Sequence, residues 1–320
     1  MIAEAENKTQ TDKANLEVFA QTLEELAAAD KDIIVVTSDS RGSGKLGPYG
    51  QKYPKQIVEI GIAEQNLVGV AAGLASAGKK VFAVSPACFL TARALEQIKN
   101  DIAYSDNPVK AIGISAGVSY GALGSTHHSL HDFAVLRAVN NIIVAAPADN
   151  YETAEAIKLA AKTNHPIYLR FGKKVMPALP ADGTPFEFGK GRIIKDGADV
   201  ALIGTGETVY PALKAAEILE KEHGISALVV SMHTIKPLDY DLLADITRRC
   251  KAIVTIEEHS VNGGLGEACA SFLLQHKAYM PFKILGIPDE YTITGSQTEI
   301  FAHYGLTEKG IAKEAIALLK

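Results

Sequence analysis

The feature that most constrains the fold is a regular alternation of short, continuous apolar segments with longer segments of helical periodicity. The segment 14–29 carries Leu16, Phe19 and Leu23 at helical spacing, and the apolar run IIVVT follows it at 33–37. Strands that are buried on both faces have continuous apolar sequences, and the helices between them cover both faces of a parallel sheet. The pattern therefore predicts an α/β protein built from parallel sheets between layers of helices.

This alternation runs through two series. In the first series, strands are predicted at 33–37, 56–59, 80–84, 109–114, 142–145 and 167–170, and helices near 14–29, 63–77, 89–104, 129–139 and 149–162. In the second series, strands are predicted at 199–204, 225–231, 252–256 and 282–287, and helices near 208–222, 239–248, 264–276 and 307–319.

A segment rich in proline and glycine separates the two series. Residues 172–191 include Pro177, Pro180, Gly183 and Pro185, which is a composition typical of a linker. We therefore predict two domains, 13–175 and 196–320, joined by a linker at 176–195. Each is expected to be a three-layer αβα sandwich with a parallel sheet.

Bulk properties argue against several classes of protein. The net charge of −5 gives no electrostatic attraction to nucleic acid or to an anionic membrane. The first residues, MIAEAENKTQTDK, lack the apolar centre of a secretory signal, and the apolar run 67–78 is too short to cross a bilayer. Three cysteines without a CxxC pair favour a reducing compartment, so we expect a cytoplasmic protein.

The first candidate for chemistry is a glutamate at the start of a helix of small residues. Glu64 follows a predicted strand and a short turn, and the helix that it opens is otherwise apolar. A carboxyl group there faces protein, and burial raises the pKa of a carboxyl group so that it can exchange a proton near neutrality. On position alone, the commoner explanation is an acid that interacts with the helix dipole.

The string EIGIAEQNLVGVAAGLASAGKKVFAV (59–84) resembles the pyrimidine-binding domain of transketolases, deoxyxylulose-phosphate synthases and the β subunits of 2-oxoacid dehydrogenases. In that family, the glutamate at this place hydrogen-bonds the aminopyrimidine ring of thiamine diphosphate and drives deprotonation of the thiazolium carbon. The resemblance assigns this role to Glu64. It also assigns Phe89, in ACFLTARALEQIKND (87–101), to stacking on the pyrimidine, and Arg93 to cofactor binding.

The segment YGALGSTHHSLHD (120–132) contains three histidines, which allow two interpretations: a metal site or a substrate-binding loop. By spacing alone, His127, His128 and His131 together with Asp132 are compatible with a metal site, since His127 and His131 are four residues apart on a possible helix. The segment also resembles the family loop G-E-D-G-P-T-H-Q, which implies that His127 is a proton shuttle or a hydroxyl ligand. His128 replaces the glutamine of that loop and is assigned to the substrate.

The same resemblance implies an altered substrate site. The two acids of the family loop are replaced by Ala122 and Leu123, and Ser115 stands where a substrate-binding histidine is expected. A modified ketose, such as a sulfonated or branched sugar phosphate, is therefore a candidate donor beside the usual phosphoketose. Ser115 also lies in GISAG (113–117), a pattern of the nucleophile elbow of α/β-hydrolases, which is a further alternative.

Two more segments are assigned by the resemblance. In TSDSRGSGK (37–45), Asp39 is expected to face the cofactor and Ser43 the substrate, although an ordinary loop is an equal explanation. The family has a phosphate-binding arginine at the place where this chain has Asp12. Arg41 is expected to take over the role of that arginine. Arg170 matches a second substrate-phosphate arginine, with an interface salt bridge as its alternative.

The family binds the cofactor diphosphate and Mg²⁺ with a GDG motif in a separate domain, and this sequence contains no GDG. We therefore expect a partner subunit that carries this motif, in a heterotetramer with two copies of each subunit. The predicted function is a thiamine-diphosphate-dependent transketolase that transfers a two-carbon ketol unit from a ketose to an aldose phosphate. The alternatives are the β subunit of a 2-oxoacid dehydrogenase and a non-catalytic partner of the same fold.

Overall fold

The computed structural model describes residues 12–180 and 183–320. Its strands are β1 (Lys13–Ala14), β2 (Ile33–Thr37), β3 (Ile57–Glu59), β4 (Lys80–Pro86), β5 (Lys110–Ile114), β6 (Ile143–Ala145), β7 (Ile167–Phe171), β8 (Val175–Met176), β9 (Arg192–Lys195), β10 (Val200–Gly204), β11 (Ala227–Ser231), β12 (Thr234–Lys236), β13 (Ala252–Ser260) and β14 (Phe282–Ile287). Its α-helices are α1 (Asn15–Ala29), α2 (Gly47–Lys52), α3 (Glu64–Ser76), α4 (Ala87–Arg93), α5 (Leu95–Gln97), α6 (Asp132–Ala138), α7 (Asn150–Lys162), α8 (Val209–His223), α9 (Tyr240–Arg249), α10 (Leu265–Gln275), α11 (Gln297–His303) and α12 (Glu308–Leu318).

The first sheet has the order β12-β6-β7-β5-β4-β2-β3, and every pair in it is parallel except β12 with β6. Its central strands are buried on both faces, as their continuous apolar sequences predict. Apolar clusters lie on both faces: Leu67 and Val68 of α3 belong to one, and Phe19 and Leu23 of α1 belong to the other. This half is the predicted αβα sandwich.

The second sheet has the order β14-β13-β10-β11-β9, and every pair is parallel except β11 with β9. Apolar residues of α8 and α12 pack with β10 and β13 in a cluster that includes Leu202, Val254 and Ile311. Together the two sheets confirm the predicted fold class, an α/β protein with mostly parallel sheets.

Edge strands cross the predicted division of the chain. The strand β9 lies within the predicted linker 176–195 but belongs to the second sheet. Conversely, β12 comes from the second half of the chain and completes the edge of the first sheet, where Thr234 pairs with Ala145. These edges were not predicted because short strands have no clear periodicity and pair with partners far along the chain. The boundaries 13–175 and 196–320 stay a prediction.

Some helical elements also differ from the prediction. The single helix predicted at 89–104 is divided into α4, α5 and a π-helical turn at Ile98–Tyr104. The segment has neither proline nor glycine, the usual sequence signals of a break. The helix α11 was missed although Ser296 and Glu299 form a capping box at its start, which is a signal visible in the sequence.

A buried ion network joins the two halves close to the linker. The Arg192 guanidinium of β9 pairs with Glu152 of α7 at 2.7 Å, and Glu152 also accepts a hydrogen bond from Ser231 of β11 at 3.1 Å. Asp149 caps α7 by accepting the Glu152 N–H and lies 3.8 Å from Arg192. Buried charges need partners of this kind, so the network fixes how the two sheets are placed relative to each other.

No helix within the described ranges is long and apolar enough to cross a membrane.

Candidate active site

A buried carboxylate and an exposed guanidinium form the centre of the site. Glu64 is the first residue of α3, and only 3% of its surface is exposed. Both of its carboxylate oxygens accept hydrogen bonds from Nη1 of Arg93, at 3.2 and 3.1 Å. Arg93 is the last residue of α4, and about half of its side chain, 49%, is exposed. The helix N-terminus and the guanidinium together stabilise the carboxylate anion.

Aromatic side chains extend the site from Arg93. The Arg93 guanidinium lies 4.3 Å from the centroid of the Phe89 ring, one helical turn away on α4. The Phe89 ring meets the His127 ring edge-on at 5.3 Å, and His127 meets the Tyr120 ring at 5.5 Å. Glu64, Arg93, Phe89, His127 and Tyr120 therefore form a continuous row of contacts, which we call the active-site row. The structure thus brings together Glu64, Phe89, Arg93 and His127.

Tyr120 and Lys173 were missed by sequence reasoning. The Lys173 ammonium lies 3.9 Å from the centroid of the Tyr120 ring, and burial raises the pKa of Tyr120 while the nearby hydroxyl groups of Ser115 and Ser43 oppose that rise. Burial, together with Lys45, lowers the pKa of Lys173. Both residues stand in segments that resemble the family, but a single tyrosine or lysine in a loop is not distinctive.

Ser115 occupies a strained turn directly after β5. Its φ angle is +53°, a conformation that is rare outside glycine and is concentrated at functional sites. The side chain is fully buried near the Tyr120 hydroxyl, and no well-aligned hydrogen bond to its Oγ is present within the described part of the chain. A hydrolase nucleophile needs a histidine base within hydrogen-bond reach, so this geometry does not support a nucleophile elbow.

The loop after β2 divides its side chains between two places. Ser43 is exposed and lines a cavity of about 320 Å³ together with Lys45 and Lys173. Asp39 is also exposed, with a φ angle of +52°. Arg41 instead pairs with Glu59 at 3.2 Å, and the same carboxylate accepts the Asp39 N–H at 2.7 Å. Ser43 therefore joins the Tyr120 end of the row, whereas Arg41 does not.

The predicted phosphate contact of Arg170 requires a correction. Only 5% of this residue is exposed. Its Nη1 donates to Asp132 at 2.9 Å, its Nη2 donates to the carbonyl oxygen of Glu258 at 2.8 Å, and the guanidinium lies over the Phe133 ring. Both terminal nitrogens are therefore committed to the chain itself. Arg170 joins the two domains, which is the interface role that was its alternative.

The predicted substrate contact of His128 also requires a correction. Its ring nitrogens contact the Thr292 hydroxyl at 2.6 Å and the Gly121 carbonyl oxygen at 3.0 Å, and the ring is buried. Burial lowers the pKa of His128. The neutral ring thus bridges the loop to the C-terminal half of the chain, and it has no nitrogen left for a substrate.

The histidines of this loop do not converge on a metal site. The His131 ring contacts Thr91 at 3.2 Å, while His127 faces Phe89 and Tyr120. Among residues 12–180 and 183–320, no group of three or more His, Cys, Asp or Glu side chains could hold a metal ion. The spacing of His127 and His131 was misleading because α6 begins only at Asp132.

Comparisons with known proteins agree with this geometry. Residues 12–178 match the family described as the pyrimidine-binding domain of transketolase, and residues 189–311 match its C-terminal domain. Among the relatives is a subunit of the apulose-4-phosphate transketolase of Phocaeicola vulgatus, which is 47% identical over 94% of this chain and 96% of its own length. A putative transketolase C-terminal section of Methanocaldococcus jannaschii is 38% identical over 94% and 95%.

Longer relatives and solved structures lead to the same family. The 1-deoxy-D-xylulose-5-phosphate synthase of Trichormus variabilis is 37% identical, and the match covers 95% of this chain but 48% of that protein. A solved split-gene transketolase, described as an inactive beta4 tetramer, superposes with a TM-score of 0.86 at 36% identity, over 96% of this chain and 98% of that one. The chain therefore belongs to the transketolase family, and it matches the pyrimidine-binding and C-terminal domains of that family.

Proposed function

We propose that this chain is the cofactor-activating subunit of a two-component transketolase, in which Glu64 activates thiamine diphosphate. Membership of the family establishes the coarser statement, a transferase subunit that depends on thiamine diphosphate. The proposed role of Glu64 in cofactor activation is supported by one observation. The buried Glu64 carboxylate is linked to the Phe89 ring through Arg93, which contacts both.

The residues around Glu64 fit an aminopyrimidine ring. The Arg93 guanidinium hydrogen-bonds the carboxylate while it lies over the Phe89 ring. A guanidinium is planar and carries N–H donors, so it already makes the two kinds of contact, stacking and hydrogen bonding, that an aminopyrimidine would make. Arg93 is half exposed and has room to move aside.

The proposed roles follow from these contacts. When bound, thiamine diphosphate supplies the carbon nucleophile that takes up the two-carbon unit. Glu64 holds and exchanges the proton at the pyrimidine ring nitrogen, and Phe89 stacks on the ring. Arg93 and Asp39 complete the contacts of this chain with the cofactor. His127, whose ring lies between Phe89 and Tyr120, holds or moves a proton at a substrate hydroxyl.

We further propose that the diphosphate and Mg²⁺ are held by a partner subunit. The sequence lacks the GDG motif, and relatives of nearly the same length are named as one subunit or as the C-terminal section of a transketolase. The solved relative that is described as a beta4 tetramer is also described as inactive. These observations support an enzyme of two copies of each subunit that is active only when both are present.

The substrate side favours a modified ketose phosphate. Relatives from Phocaeicola vulgatus and Actinobacillus succinogenes are named for apulose 4-phosphate, which we propose as a substrate here. The loop residue Leu123, which replaces an acid of the family loop, is 55% exposed and offers an apolar surface. Ser43, Tyr120 and Lys173 lie together near His127 and provide hydroxyl groups and a cation for the sugar phosphate, while the buried Ser115 hydroxyl lies next to that of Tyr120.

Co-purification tests the two-component proposal. The chain is expressed alone and with the product of its neighbouring gene, and bound thiamine diphosphate is measured with and without Mg²⁺. We expect bound cofactor only when both chains and Mg²⁺ are present. Cofactor that remains bound to the isolated chain would contradict the proposed division of the site.

A donor panel then tests the substrate. The assembled enzyme is assayed with apulose 4-phosphate, a sulfonated ketose and xylulose 5-phosphate as donors, each with an aldose phosphate acceptor. We expect the highest kcat/KM with apulose 4-phosphate. A strict preference for xylulose 5-phosphate would refute the altered donor, and activity with pyruvate and an artificial electron acceptor would instead indicate a 2-oxoacid dehydrogenase.

A further inference from the structure

Two carboxylates of the C-terminal half press against backbone turns of the pyrimidine-binding half. Glu207 follows β10 and Glu258 lies in β13, and both are buried. A Cβ atom added to Gly172 would lie 1.9 Å from Oε1 of Glu207, and one added to Gly117 would lie 2.2 Å from Cδ of Glu258. No residue larger than glycine fits at either turn without displacing a carboxyl group.

A single amide joins the two carboxyl groups. The Gln297 side chain donates to Glu207 at 2.7 Å and to Glu258 at 2.8 Å, and Glu258 also accepts the Val118 N–H at 2.9 Å. The second oxygen of Glu207 has no hydrogen-bond partner within the part of the chain that the structure describes. Glu207, Gln297 and Glu258 are called the carboxyl clamp below.

The geometry of the clamp favours a single proton for its two carboxyl groups, which are bridged by the Gln297 amide. Two neighbouring buried carboxyl groups do not both ionise near neutrality, because the second charge has no compensation. Burial raises the pKa of Glu258 as well, and Arg170, 3.9 Å away, opposes that rise together with the hydrogen bonds from Val118 and Gln297. Glu207 faces Glu258 and feels only weaker attraction from Lys174 and Arg170, so burial and Glu258 raise its pKa to about 8. The pair therefore carries one proton near neutrality, and the guanidinium of Arg170 beside Glu258 favours Glu207 as its carrier.

The turns held by the clamp carry the substrate side of the site. Gly117 and Val118 lie between Ser115 and Tyr120, and Gly172 precedes Lys173. The two turns are tied together by a hydrogen bond from the Ala116 N–H to the Phe171 carbonyl oxygen at 3.0 Å. A displacement of either carboxyl group would thus move the hydroxyl groups and the cation assigned to the sugar phosphate.

The segment that supplies Gln297 also supports the neighbouring loop. Thr292 contacts the His128 ring at 2.6 Å and the Ser125 hydroxyl at 3.0 Å. His127 is adjacent to His128, so residues 292–297 contact both the clamp and the loop that places the proposed proton carrier. The C-terminal half therefore determines the shape of the substrate side, although it contributes no residue to the active-site row.

We propose that Glu207, Gln297 and Glu258 are positioning residues, and that the single proton of their carboxyl pair keeps Ser115, Tyr120 and Lys173 in the geometry that binds the sugar phosphate. Loss of this proton places a second charge on the clamp, and repulsion between Glu207 and Glu258 then releases the turn at Gly117. The inference rests on the proposed function for its substrate, while the proton-dependent hold on the turn is a property of the chain itself.

Hydrogen exchange of the isolated chain tests the clamp without any substrate. Exchange at the Val118 amide is followed from pH 6 to pH 9 and corrected for the intrinsic pH dependence of exchange. We expect protection to fall about tenfold or more above pH 8 in the wild type. The side chain of Glu207→Gln stays neutral and still accepts a hydrogen bond from Gln297, so protection of the Val118 amide in this variant should be independent of pH. The control Glu222→Gln, on the exposed face of α8, should behave as the wild type. Equal pH dependence in Glu207→Gln and the wild type would overturn the proposal.

Kinetics of the complex with the partner subunit then test the link to substrate binding. We expect KM for the sugar phosphate to rise above pH 8 in the wild type but not in Glu207→Gln, with little change in kcat and in cofactor affinity. In Glu207→Ala, KM should be about tenfold higher at every pH. A KM of this variant within twofold of the wild type would also refute the proposal. If the complex transfers no ketol unit at all, the proposed function fails while the exchange result still decides the clamp.

Discussion

At the scale of single residues, the environment of Glu64 explains why it is the central candidate. It opens α3, where the helix dipole favours an anion, and its partner Arg93 is half exposed. A buried carboxylate whose partner is half exposed is available to a ligand that replaces that partner. Arg170 shows the opposite case, because Asp132 and Glu258 occupy its guanidinium deep in the domain interface.

The exchange Glu64→Gln tests the role of this carboxyl group. Glutamine keeps the size and the hydrogen-bond acceptor but cannot exchange a proton, so we expect turnover to fall by about 10²–10⁴-fold. Cofactor content of the complex and the circular dichroism of the chain should change little. Glu25→Gln on the exposed surface of α1 is the matched control. Near-wild-type turnover in Glu64→Gln would remove the proposed role.

At the scale of elements, the ends of strands and helices position the site. The strand β5 ends in the strained turn that contains Ser115 and Gly117, with φ angles of +53° and +59°. The helix α4 presents Phe89 and Arg93 on one face, one turn apart, where α3 begins. Parallel strands bring such ends to a common edge of the sheet, which is where α/β proteins bind ligands.

A pair of glycine substitutions tests the strain at the turn after β5. In Gly117→Ala, the new Cβ collides with Glu258 and the left-handed conformation disfavours alanine, so we expect a loss of about 1–3 kcal/mol in the free energy of unfolding. Gly69→Ala in α3 has no atom within 4 Å of the new Cβ, and it should be neutral or stabilising by up to about 1 kcal/mol. Urea denaturation of both variants measures the difference, and equal stabilities would contradict the close contact.

At the scale of the whole molecule, buried titratable groups concentrate where the two halves meet. Burial lowers the pKa of His233 to about 3 and that of His259 to about 4. Burial raises the pKa of Glu257 to about 7 and that of Glu207 to about 8. Burial thus favours the neutral form of these histidines and the protonated form of these glutamates.

These groups predict how stability depends on pH. Below pH 6.5 the unfolded chain takes up protons on these histidines, whereas the folded chain does so only near pH 4 and pH 3. Their contribution to the free energy of unfolding is therefore complete above pH 6.5 and is lost as the pH falls toward 4 and 3. Above pH 4.5 the unfolded chain releases the protons of these glutamates, whereas the folded chain keeps them until about pH 7 and pH 8. Their contribution to the free energy of unfolding is therefore complete below pH 4.5 and is lost as the pH rises to 7 and 8. Between these limits the two histidines and the two glutamates give opposing slopes, and above pH 6.5 only the slope of the glutamates remains, which predicts a decline in stability above pH 6.5.

Urea denaturation from pH 5 to pH 8 checks this prediction. Each glutamate contributes a slope of at most about 1.4 kcal/mol per pH unit, and Glu207→Gln and Glu257→Gln should each make the decline above pH 6.5 shallower. Glu222→Gln, on the surface of α8, should leave the profile unchanged. A wild-type stability that increases from pH 6.5 to pH 8 would contradict the assignment of these pKa shifts.

The sequence by itself determined most of the central strands and their covering helices, and the candidate at the centre of the site. Continuous apolar runs such as IIVVT identify buried strands, and the motif around Glu64 is local, so strand ends, helix starts and the Glu64–Phe89 pair were accessible from short stretches of chain. Only the tertiary structure decided which side chains remain free. Arg170 and His128 stand at positions that bind substrate in the family, but Asp132 and Thr292 already occupy their hydrogen-bonding groups. Tyr120 and Lys173 meet although their loops are far apart in the chain. The physical reason is that a side chain's hydrogen-bond partners and charge neighbours come from distant segments, as do the partners of the edge strands β9 and β12, and no local pattern specifies them.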